Sequence, residues 1–278
     1  MTRLDFTVDA DKCTQCDACV LDCPAGIISR PDQTPVVLPD QAANCLECQH
    51  CLAVCPAGAI GIFGLRPENS LELGPDKLPS AQQMHLLLRG RRSVRQYKKE
   101  DVAPEMLNEL LATLGNVPTG CNDRDLHFMV VDNRVQMQKL LNHIMESLEE
   151  KIRKQAPMPD AFPQIVNAYR QKGKDIFFRG APHLLLVSAG EKAHCPKEDI
   201  DLSLAYFELV AQCSGLGTTW FGFLKTIVEV APELRACFGL GPKTLFYAML
   251  FGHPAVQYAR TVQRDKAASI RPFKADFA

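Results

Sequence analysis

The stretch Cys13–Ile28, CTQCDACVLDCPAGII, occurs a second time as Cys45–Ile60, CLECQHCLAVCPAGAI. Aligned without gaps, the two copies are identical at 8 of 16 positions, including every cysteine and the Pro-Ala-Gly that follows the last one. The chain therefore contains an internal duplication. Eight of its 12 cysteines lie between Cys13 and Cys55. In a chain that stays inside the cell, this density indicates metal binding rather than disulfide bonds.

The spacing of the cysteines resembles that of bacterial ferredoxins, which hold two cubane 4Fe-4S clusters on such runs. The resemblance covers residues 1–64. It implies that each cluster takes three cysteines from one copy and the last cysteine of the other copy. The implied ligands are Cys13, Cys16, Cys19 and Cys55 for one cluster, and Cys45, Cys48, Cys51 and Cys23 for the other. A pair of zinc ribbons is the alternative, because Cys-x2-Cys is also a zinc spacing.

The composition is that of a globular protein. The 278 residues are 46% hydrophobic and 23% charged, and at about 150 residues per domain this length predicts two domains. The net charge of −1 leaves no field to hold a polyanion, so a dedicated nucleic-acid binder is excluded. We expect a cytoplasmic protein that does not enter a membrane, because residues 1–12 lack an apolar signal segment and the longest uncharged stretches are interrupted by polar residues and proline.

The segment 65–80, LRPENSLELGPDKLPS, predicts a linker, because it contains three prolines and has no hydrophobic period. We therefore expect an iron-sulfur domain over residues 1–64 and a second domain over residues 81–278. Within the second domain, one amphipathic helix is predicted from leucines that recur with the period of an α-helix, namely Leu107, Leu110, Leu111 and Leu114. Short apolar runs predict strands of one buried sheet over 126–131, 182–188 and 244–251.

Two further helices are predicted. One carries the apolar stripe Met137, Leu141, Ile144, Leu148 and Ile152. The other, Ile200–Cys213, is apolar on most faces, so we expect it to be buried on both sides, as at a subunit interface. No Gly-x-Gly-x-x-Gly follows a predicted strand, so the fold class is α+β rather than a Rossmann domain.

A basic segment opens the second domain. Arg89–Lys99, RGRRSVRQYKK, contains six basic residues, and a solvated surface is the ordinary interpretation of such a run. Its Arg-x-Ser-x-Arg-x-Tyr spacing, however, resembles the segment of the nitroreductase flavoprotein family that binds the phosphate of FMN. Two guanidinium groups and a hydroxyl suit the oxygens of a phosphate monoester. The resemblance implies a phosphate site formed by Arg91, Arg92, Ser93 and Arg95.

Three later segments match the same family in the expected order, so the resemblance extends over residues 81–278 and implies a nitroreductase-like α/β sandwich. The first is a loop that in the family reaches the flavin of the partner subunit; it would contribute Pro118, Thr119, Gly120 and Asn122. The family's continuation Gln-Pro-Trp is missing here, where Asp123–Leu126 follow. A plain interhelical turn is the alternative interpretation of this loop.

The second segment, Gly215–Gly222, resembles the Gly-Leu-Gly-x-x-Trp-x-Gly stretch that lies against the redox-active edge of the flavin, and implies Trp220, Phe221 and Gly222 as flavin contacts. The third, Phe251–Pro254, resembles the family's Gly-Tyr-Pro. Basic residues after it complete the phosphate site in the family, and the candidates are Arg260, Arg264 and Lys266. A buried strand and a charged tail are the respective alternatives.

Together, the two resemblances imply an oxidoreductase that passes electrons through two 4Fe-4S clusters to FMN and on to a nitro compound, a quinone or an activated alkene. They also imply a homodimer and an external donor, either a ferredoxin or NAD(P)H. One alternative is an electron-transfer module that relays charge to a partner enzyme and has no small substrate of its own. Another is a protein-docking domain that binds no flavin.

The remaining cysteines and two histidines give weaker signals. Cys121, Cys195, Cys213 and Cys237 share no spacing, so we expect them to be packing residues. His127 and His183 lie on apolar strands, and we expect both to be core histidines. No catalytic acid is evident.

Overall fold

The computed structural model of the protein describes residues 4–264 and 268–274. The chain forms two compact units. The first unit runs to Leu78 and also contains the separate segment Thr119–Arg124. The second unit comprises Pro79–Pro118 and the chain from Asp125 onward. The chain therefore leaves the second unit after Pro118 and re-enters it at Asp125.

The first unit contains two short helices and two small antiparallel sheets. Its strands are β1 (Phe6–Val8), β2 (Ile28–Ser29), β3 (Val36–Val37) and β4 (Ile60–Ile62), and its helices are α1 (Ala18–Leu21) and α2 (His50–Val54). One sheet pairs β1 with β4, and the other pairs β2 with β3. Each sheet thus takes one strand from the half of the duplication that contains Cys13 and one from the half that contains Cys45.

The duplication is repeated in the backbone of the cysteine loops. Gln15 and Asp17 have φ angles of 58° and 59°, and Glu47 and Gln49, at the matching positions of the second copy, have 52° and 60°. Non-glycine residues adopt this left-handed conformation at a cost of about 1 kcal/mol or more. Its occurrence at the same places in both copies shows that the two loops follow the same backbone path around their cysteines.

The second unit contains six helices and one four-stranded antiparallel sheet in the part of the chain that the structure describes. The helices are α3 (Ala81–Gly90), α4 (Pro104–Thr113), α5 (Arg134–Arg153), α6 (Ala161–Lys172), α7 (Pro196–Cys213) and α8 (Phe223–Val230). The strands are β5 (Leu126–Val131), β6 (His183–Ala189), β7 (Gly217–Trp220) and β8 (Phe246–Gly252), in the order β5-β6-β8-β7.

The sheet separates two hydrophobic clusters, because successive residues of a strand point to opposite faces. Leu184 and Leu186 of β6 pack in one cluster with α5, α6 and α8. Leu185 and Val187 pack in the other with α4 and α7. Helices therefore cover both faces of the sheet, and the predicted α/β sandwich is confirmed.

The predicted elements are found close to their expected positions, but one expected core residue is not buried. Strand β5 coincides with the predicted run 126–131, and β6 and β8 begin one and two residues later than predicted. Because β5 is an edge strand, the His127 side chain is 69% exposed, and the expectation that it lies in the core is wrong. His183, on the inner strand β6, is fully buried as expected, and its Nε2 accepts a hydrogen bond from the Val102 N–H at 2.8 Å.

Helix α7 is buried on one face of the single chain. Leu204 and Phe207 pack in the core beneath the sheet. Leu202 and Tyr206, one turn apart on another face, are 40% and 44% exposed. Within the described residues, no helix has both the length and the hydrophobicity needed to cross a membrane.

Candidate functional site

The eight cysteines of the repeats line two separate cavities of the first unit. One cavity, of about 330 Å³, is lined by Cys13, Cys16, Cys19 and Cys55. The other, of about 390 Å³, is lined by Cys23, Cys45, Cys48 and Cys51. Both volumes include space that is open to solvent. Each cavity combines three cysteines of one copy with the last cysteine of the other, which is the grouping that the ferredoxin resemblance implies.

The surroundings of the thiols fit iron-sulfur clusters. Burial, together with the neighbouring thiols of the same cavity, raises the pKa of Cys51 to about 11. A backbone hydrogen bond from Ala18 lowers the pKa of Cys16. In the same cavity, the Ala59 N–H donates to the Cys55 Sγ at 3.2 Å. Such N–H···S bonds stabilise thiolate ligands of iron and tune cluster potentials.

A zinc ribbon requires four ligands gathered around one ion. Among residues 4–264 and 268–274, no group of three or more His, Cys, Asp and Glu side chains is arranged to hold a single metal ion. The thiols instead surround two cavities, which suits a group with several metal atoms.

In the second unit, backbone pairing brings three of the four flavin-related segments together. The Val94 N–H donates to the Thr218 carbonyl of β7 at 2.8 Å. Three and four residues further on, the basic segment pairs with the Phe251–Pro254 region: Tyr97 forms a β-bridge with Pro254, and the Lys98 N–H donates to the His253 carbonyl at 2.8 Å. The basic segment is therefore bonded to both other motifs.

Arg92 shows that the basic segment fits an anion. Its Nε is buried and has no hydrogen-bond partner among the described residues, while its Nη2 donates to the Arg89 carbonyl at 3.3 Å. A buried donor without an acceptor is costly and rare in native proteins, so it calls for an explanation such as a bound acceptor. A phosphate oxygen is an acceptor of the kind that this Nε could bind.

Arg95 and Arg179, a cation that the sequence did not reveal, both act on the hydroxyl of Tyr97. Burial raises the pKa of Tyr97, and its hydrogen bond with Thr219 and the charges of Arg95 and Arg179 act in the opposite direction. Arg95 is exposed, and Ser93 is half-buried. Arg179 follows two buried phenylalanines outside every recognised motif, so no sequence signal pointed to it.

Arg91 is held by a buried carboxylate that sequence reasoning also missed. Its Nη1 donates to the Glu208 Oε1 of α7 at 3.2 Å. The same oxygen accepts from the Thr218 hydroxyl at 3.0 Å, and the Glu208 Oε2 accepts from the indole Nε1 of Trp220 at 3.3 Å. Glu208 is only 6% exposed. It lies within the mostly apolar run 200–213, where the two acidic residues, Asp201 and Glu208, give no recognisable pattern.

Strand β7 ends at Trp220, one of the predicted flavin-edge residues, and the other two, Phe221 and Gly222, follow it directly. The Phe221 side chain is buried and packs edge-on against Phe178, and its N–H donates to the Ala248 carbonyl at 2.8 Å. Its amide is therefore engaged within the fold. Gly217 is in close contact with the basic segment, because a Cβ built there would lie 2.5 Å from Val94 Cγ2. Gly222, at the start of α8, lies beside Tyr247, whose hydroxyl would be 3.1 Å from an added Cβ.

The fourth segment divides between the units. Pro118 belongs to the second unit, whereas Thr119, Gly120 and Asn122 belong to the first. Within the first unit, the Asn122 Nδ2 donates to the Leu46 carbonyl at 2.8 Å. Leu46 lies between two cluster cysteines and itself lines the larger cysteine cavity. The structure therefore places Asn122 on a cysteine loop.

The remaining candidates lie at the surface or outside the described residues. Arg260 and Arg264 are exposed in the irregular segment after β8, and Lys266 lies outside the described residues. The expectation that the four other cysteines are packing residues is wrong, since all of them are exposed. They are Cys121, Cys195, Cys213 and Cys237.

Comparison with known proteins identifies both parts of the chain. A model of the nitroreductase family matches residues 88–253, and a model of the 4Fe-4S dicluster domain matches residues 12–60. Among curated proteins, iodotyrosine deiodinase of Hydra vulgaris is 23% identical over 189 residues, which cover 65% of this chain and 68% of that protein. Iodotyrosine deiodinase of Thermotoga neapolitana is 25% identical over 157 residues, covering 54% and 81%.

Solved structures show the same fold. A nitroreductase with bound FMN from Bacteroides fragilis superposes with a TM-score of 0.53 at 20% identity, covering 68% of this chain and 99% of that one. An FMN-dependent nitroreductase from Mycobacterium smegmatis, in complex with NADPH, gives a TM-score of 0.50 at 16% identity, covering 69% and 99%. Because the family model spans more than half of the chain, the protein belongs to the nitroreductase family, and a 4Fe-4S dicluster ferredoxin domain precedes its nitroreductase domain.

Proposed function

We propose that this protein is an iron-sulfur flavoprotein that passes electrons through two 4Fe-4S clusters and FMN to a small organic acceptor. The observation that carries the proposal is the separation of eight cysteines into two cavities of four, in a chain of the nitroreductase family. When bound, the clusters supply one-electron transfer, and FMN links it to the two-electron reduction of an organic molecule.

Separate sets of residues would bind the two clusters and FMN. The cysteines of each cavity would bind one cluster, with the Ala59 amide donating to a ligand sulfur. Arg91, Arg92, Ser93 and Arg95 would bind the FMN phosphate, and the unpaired Nε of Arg92 supports this assignment. Gly217 and Val94 are closely packed, and this contact would hold the phosphate segment against β7. The FMN bound to the Bacteroides fragilis nitroreductase supports the same cofactor here.

The acceptor is proposed as a class. Nitro compounds, quinones and activated alkenes each accept two electrons, with protons from solvent, and need no dedicated acid on the protein. The names of the curated relatives add an iodinated phenol, whose reduction would release iodide. An anaerobic screen of these four classes against the reduced protein tests the proposal. If none is turned over while the flavin still exchanges electrons with a redox protein, the relay module without its own substrate is the better description.

We propose a homodimer, supported by apolar surface on two helices of the second unit. Leu202 and Tyr206 leave one face of α7 exposed, and Leu86 and Leu88 are exposed on two different sides of α3. Exposed apolar patches of this kind mark interaction surfaces. Light scattering should give twice the chain mass of 30.8 kDa, and Tyr206→Glu should shift the protein toward the monomer. A monomeric wild-type protein would contradict this part of the proposal.

The electron donor is proposed to be an external ferredoxin or NAD(P)H, and the NADPH complex of the Mycobacterium smegmatis nitroreductase supports the second. The first experiment is an anaerobic absorption spectrum with iron, sulfide and acid-released FMN counted per chain. We expect about eight irons and one FMN. Eight irons without FMN, even after FMN is added back, would leave an iron-sulfur protein and refute the flavin part of the proposal.

A further inference from the structure

Glu208 is a buried carboxylate at the point where the basic segment meets β7. It projects from α7 and is 6% exposed. Three donors from three places in the sequence converge on it: the Arg91 guanidinium, the Thr218 hydroxyl and the Trp220 indole, at 3.2, 3.0 and 3.3 Å. A buried carboxylate is tolerated only when it is paired and hydrogen-bonded, and this one is both.

The donors of Glu208 belong to two different parts of the flavin-related region. Arg91 is the residue that ends α3 and begins the basic segment. Thr218 and Trp220 are neighbours on the same face of β7, since they are two residues apart in a strand. One carboxylate therefore fixes the first arginine of the predicted phosphate segment to the strand that ends at Trp220, directly before Phe221 and Gly222.

We propose that Glu208 is a positioning residue of the FMN site. Through its hydrogen bond with Arg91, it keeps the guanidinium in the orientation that binds the phosphate. This inference rests on the proposed function. The Arg91 guanidinium offers five N–H donors, and Glu208 engages one of its terminal nitrogens. The side chain is 30% exposed, so other donors remain available to an anion from the solvent side. An arginine already fixed by one carboxylate loses less side-chain freedom when it binds a second anion.

The amide Glu208→Gln is a sharp variant, because it preserves shape and changes the donor pattern. The carboxylate accepts at both oxygens, whereas an amide accepts at one end and donates at the other. Whichever way the amide is turned, its NH₂ faces either the Trp220 N–H or the Arg91 guanidinium. The variant therefore releases one of the two anchors. Glu208→Asp, in contrast, keeps the charge and both acceptors on a shorter side chain.

Glu208→Gln also removes a negative charge. This second effect favours FMN binding, because it reduces the repulsion of the phosphate dianion, whereas the loss of an anchor on Arg91 disfavours it. The two effects predict opposite signs for FMN binding. If positioning dominates, Glu208→Gln weakens FMN binding about tenfold and Glu208→Asp recovers part of the loss. If repulsion dominates, Glu208→Gln binds FMN more tightly than the wild-type protein, and the inference is wrong.

A double-mutant cycle isolates the contact with Arg91. FMN affinity is measured by flavin fluorescence on full-length, cluster-loaded protein after removal of FMN, for the wild-type protein, Arg91→Ala, Glu208→Gln and the double variant. We expect Arg91→Ala to weaken binding strongly in the wild-type background and at least threefold less in the Glu208→Gln background. Equal losses in the two backgrounds would show that Glu208 does not act through Arg91. Glu229→Gln, an exposed glutamate of α8, is the matched control and should leave FMN affinity unchanged.

Fluorescence of the protein provides a readout that does not need flavin. Trp220 is the single tryptophan of the chain, so its emission reports directly on the indole contact with Glu208. We expect a shifted emission in flavin-free Glu208→Gln and partial recovery in Glu208→Asp; an unchanged spectrum would show that the contact is not formed. If the wild-type protein does not bind FMN, the proposed function fails, and the inference about the phosphate fails with it even where the emission shifts.

Discussion

Cys55 shares its cavity with Cys13, which belongs to the other copy of the motif, and not with Cys51 of its own copy. The paired strands β1 and β4 explain this arrangement. They join the two halves in register, with Val8 opposite Ile60. The last cysteine of each copy is thereby placed against the first three of the other.

This crossing predicts which cluster each substitution removes. Cys55→Ala should eliminate the cluster of Cys13, Cys16 and Cys19, so the iron content should fall from about eight to about four per chain. Cys23→Ala should eliminate the other cluster. Iron analysis and electron paramagnetic resonance of the reduced proteins distinguish the two. Cys237→Ala, at an exposed position outside the motifs, is the control. Identical residual spectra from Cys55→Ala and Cys23→Ala would contradict the crossed grouping.

Arg92 should be sensitive to a substitution that keeps its charge. Lysine lacks the Nε that is buried without a partner here, so Arg92→Lys should weaken FMN binding nearly as much as Arg92→Ala. Loss of a charge-assisted hydrogen bond costs about 1.5–3 kcal/mol. FMN titration measures the effect, and Arg153→Ala, an exposed arginine in the last turn of α5, serves as the control. If Arg92→Lys kept the full affinity for FMN, the Nε of Arg92 would not take part in binding the phosphate.

Gly217 should tolerate no added methyl group while Val94 is present. The new Cβ would lie 2.5 to 2.9 Å from three atoms of the Val94 side chain. Overpacking of this kind lowers the free energy of unfolding by about 1–3 kcal/mol. Thermal unfolding should show the loss in Gly217→Ala and partial recovery in Gly217→Ala/Val94→Ala. Gly115→Ala, where an added Cβ meets open space, should be near neutral. Failure of the second substitution to restore stability would refute the clash.

His183 should make the second unit less stable in acid. Burial lowers its pKa below the ordinary value of 6.5, because the charged ring would lose its hydration. The neutral ring accepts the Val102 N–H at Nε2. The unfolded chain therefore binds a proton that the folded chain does not, and stability falls as pH decreases below 6.5, by at most about 1.4 kcal/mol per pH unit.

Urea unfolding followed by Trp220 fluorescence at several pH values tests this expectation. His183→Gln should be less stable near neutral pH and should have a smaller slope below pH 6.5. An identical slope in the wild-type protein and the variant would assign the acid sensitivity to other groups.

The parts of the fold that could be predicted are those fixed by local pattern. The cysteine spacing, the apolar runs of β5, β6 and β8 and the leucine period of α4 all depend on nearby residues, and their positions agree with the structure. His127 was misjudged because an edge strand and an inner strand have similar apolar sequences. Only the strand order, set by long-range pairing, distinguishes them.

The contacts that sequence could not supply are those between distant residues. Glu208 contacts Arg91 and Trp220 only because α7 packs against both α3 and β7. The sequence around residue 208 does not predict these partners. Asn122 resembles a flavin-loop residue by its motif, yet its amide binds the carbonyl of Leu46 in the first unit. In both cases tertiary packing, and not the local sequence, determines the hydrogen-bond partner of the side chain.

The exchange of strands between the two halves of the iron-sulfur unit has a consequence for its origin. A half on its own would leave β1 or β3 without its partner strand and would have three cysteines facing a cavity that the other half completes. Two identical half-chains would supply each other's missing strand and fourth cysteine through two-fold symmetry. The present unit is therefore the single-chain equivalent of a symmetric dimer of a peptide about half its length. Gene duplication followed by fusion would have turned an association that depended on concentration into an intramolecular one.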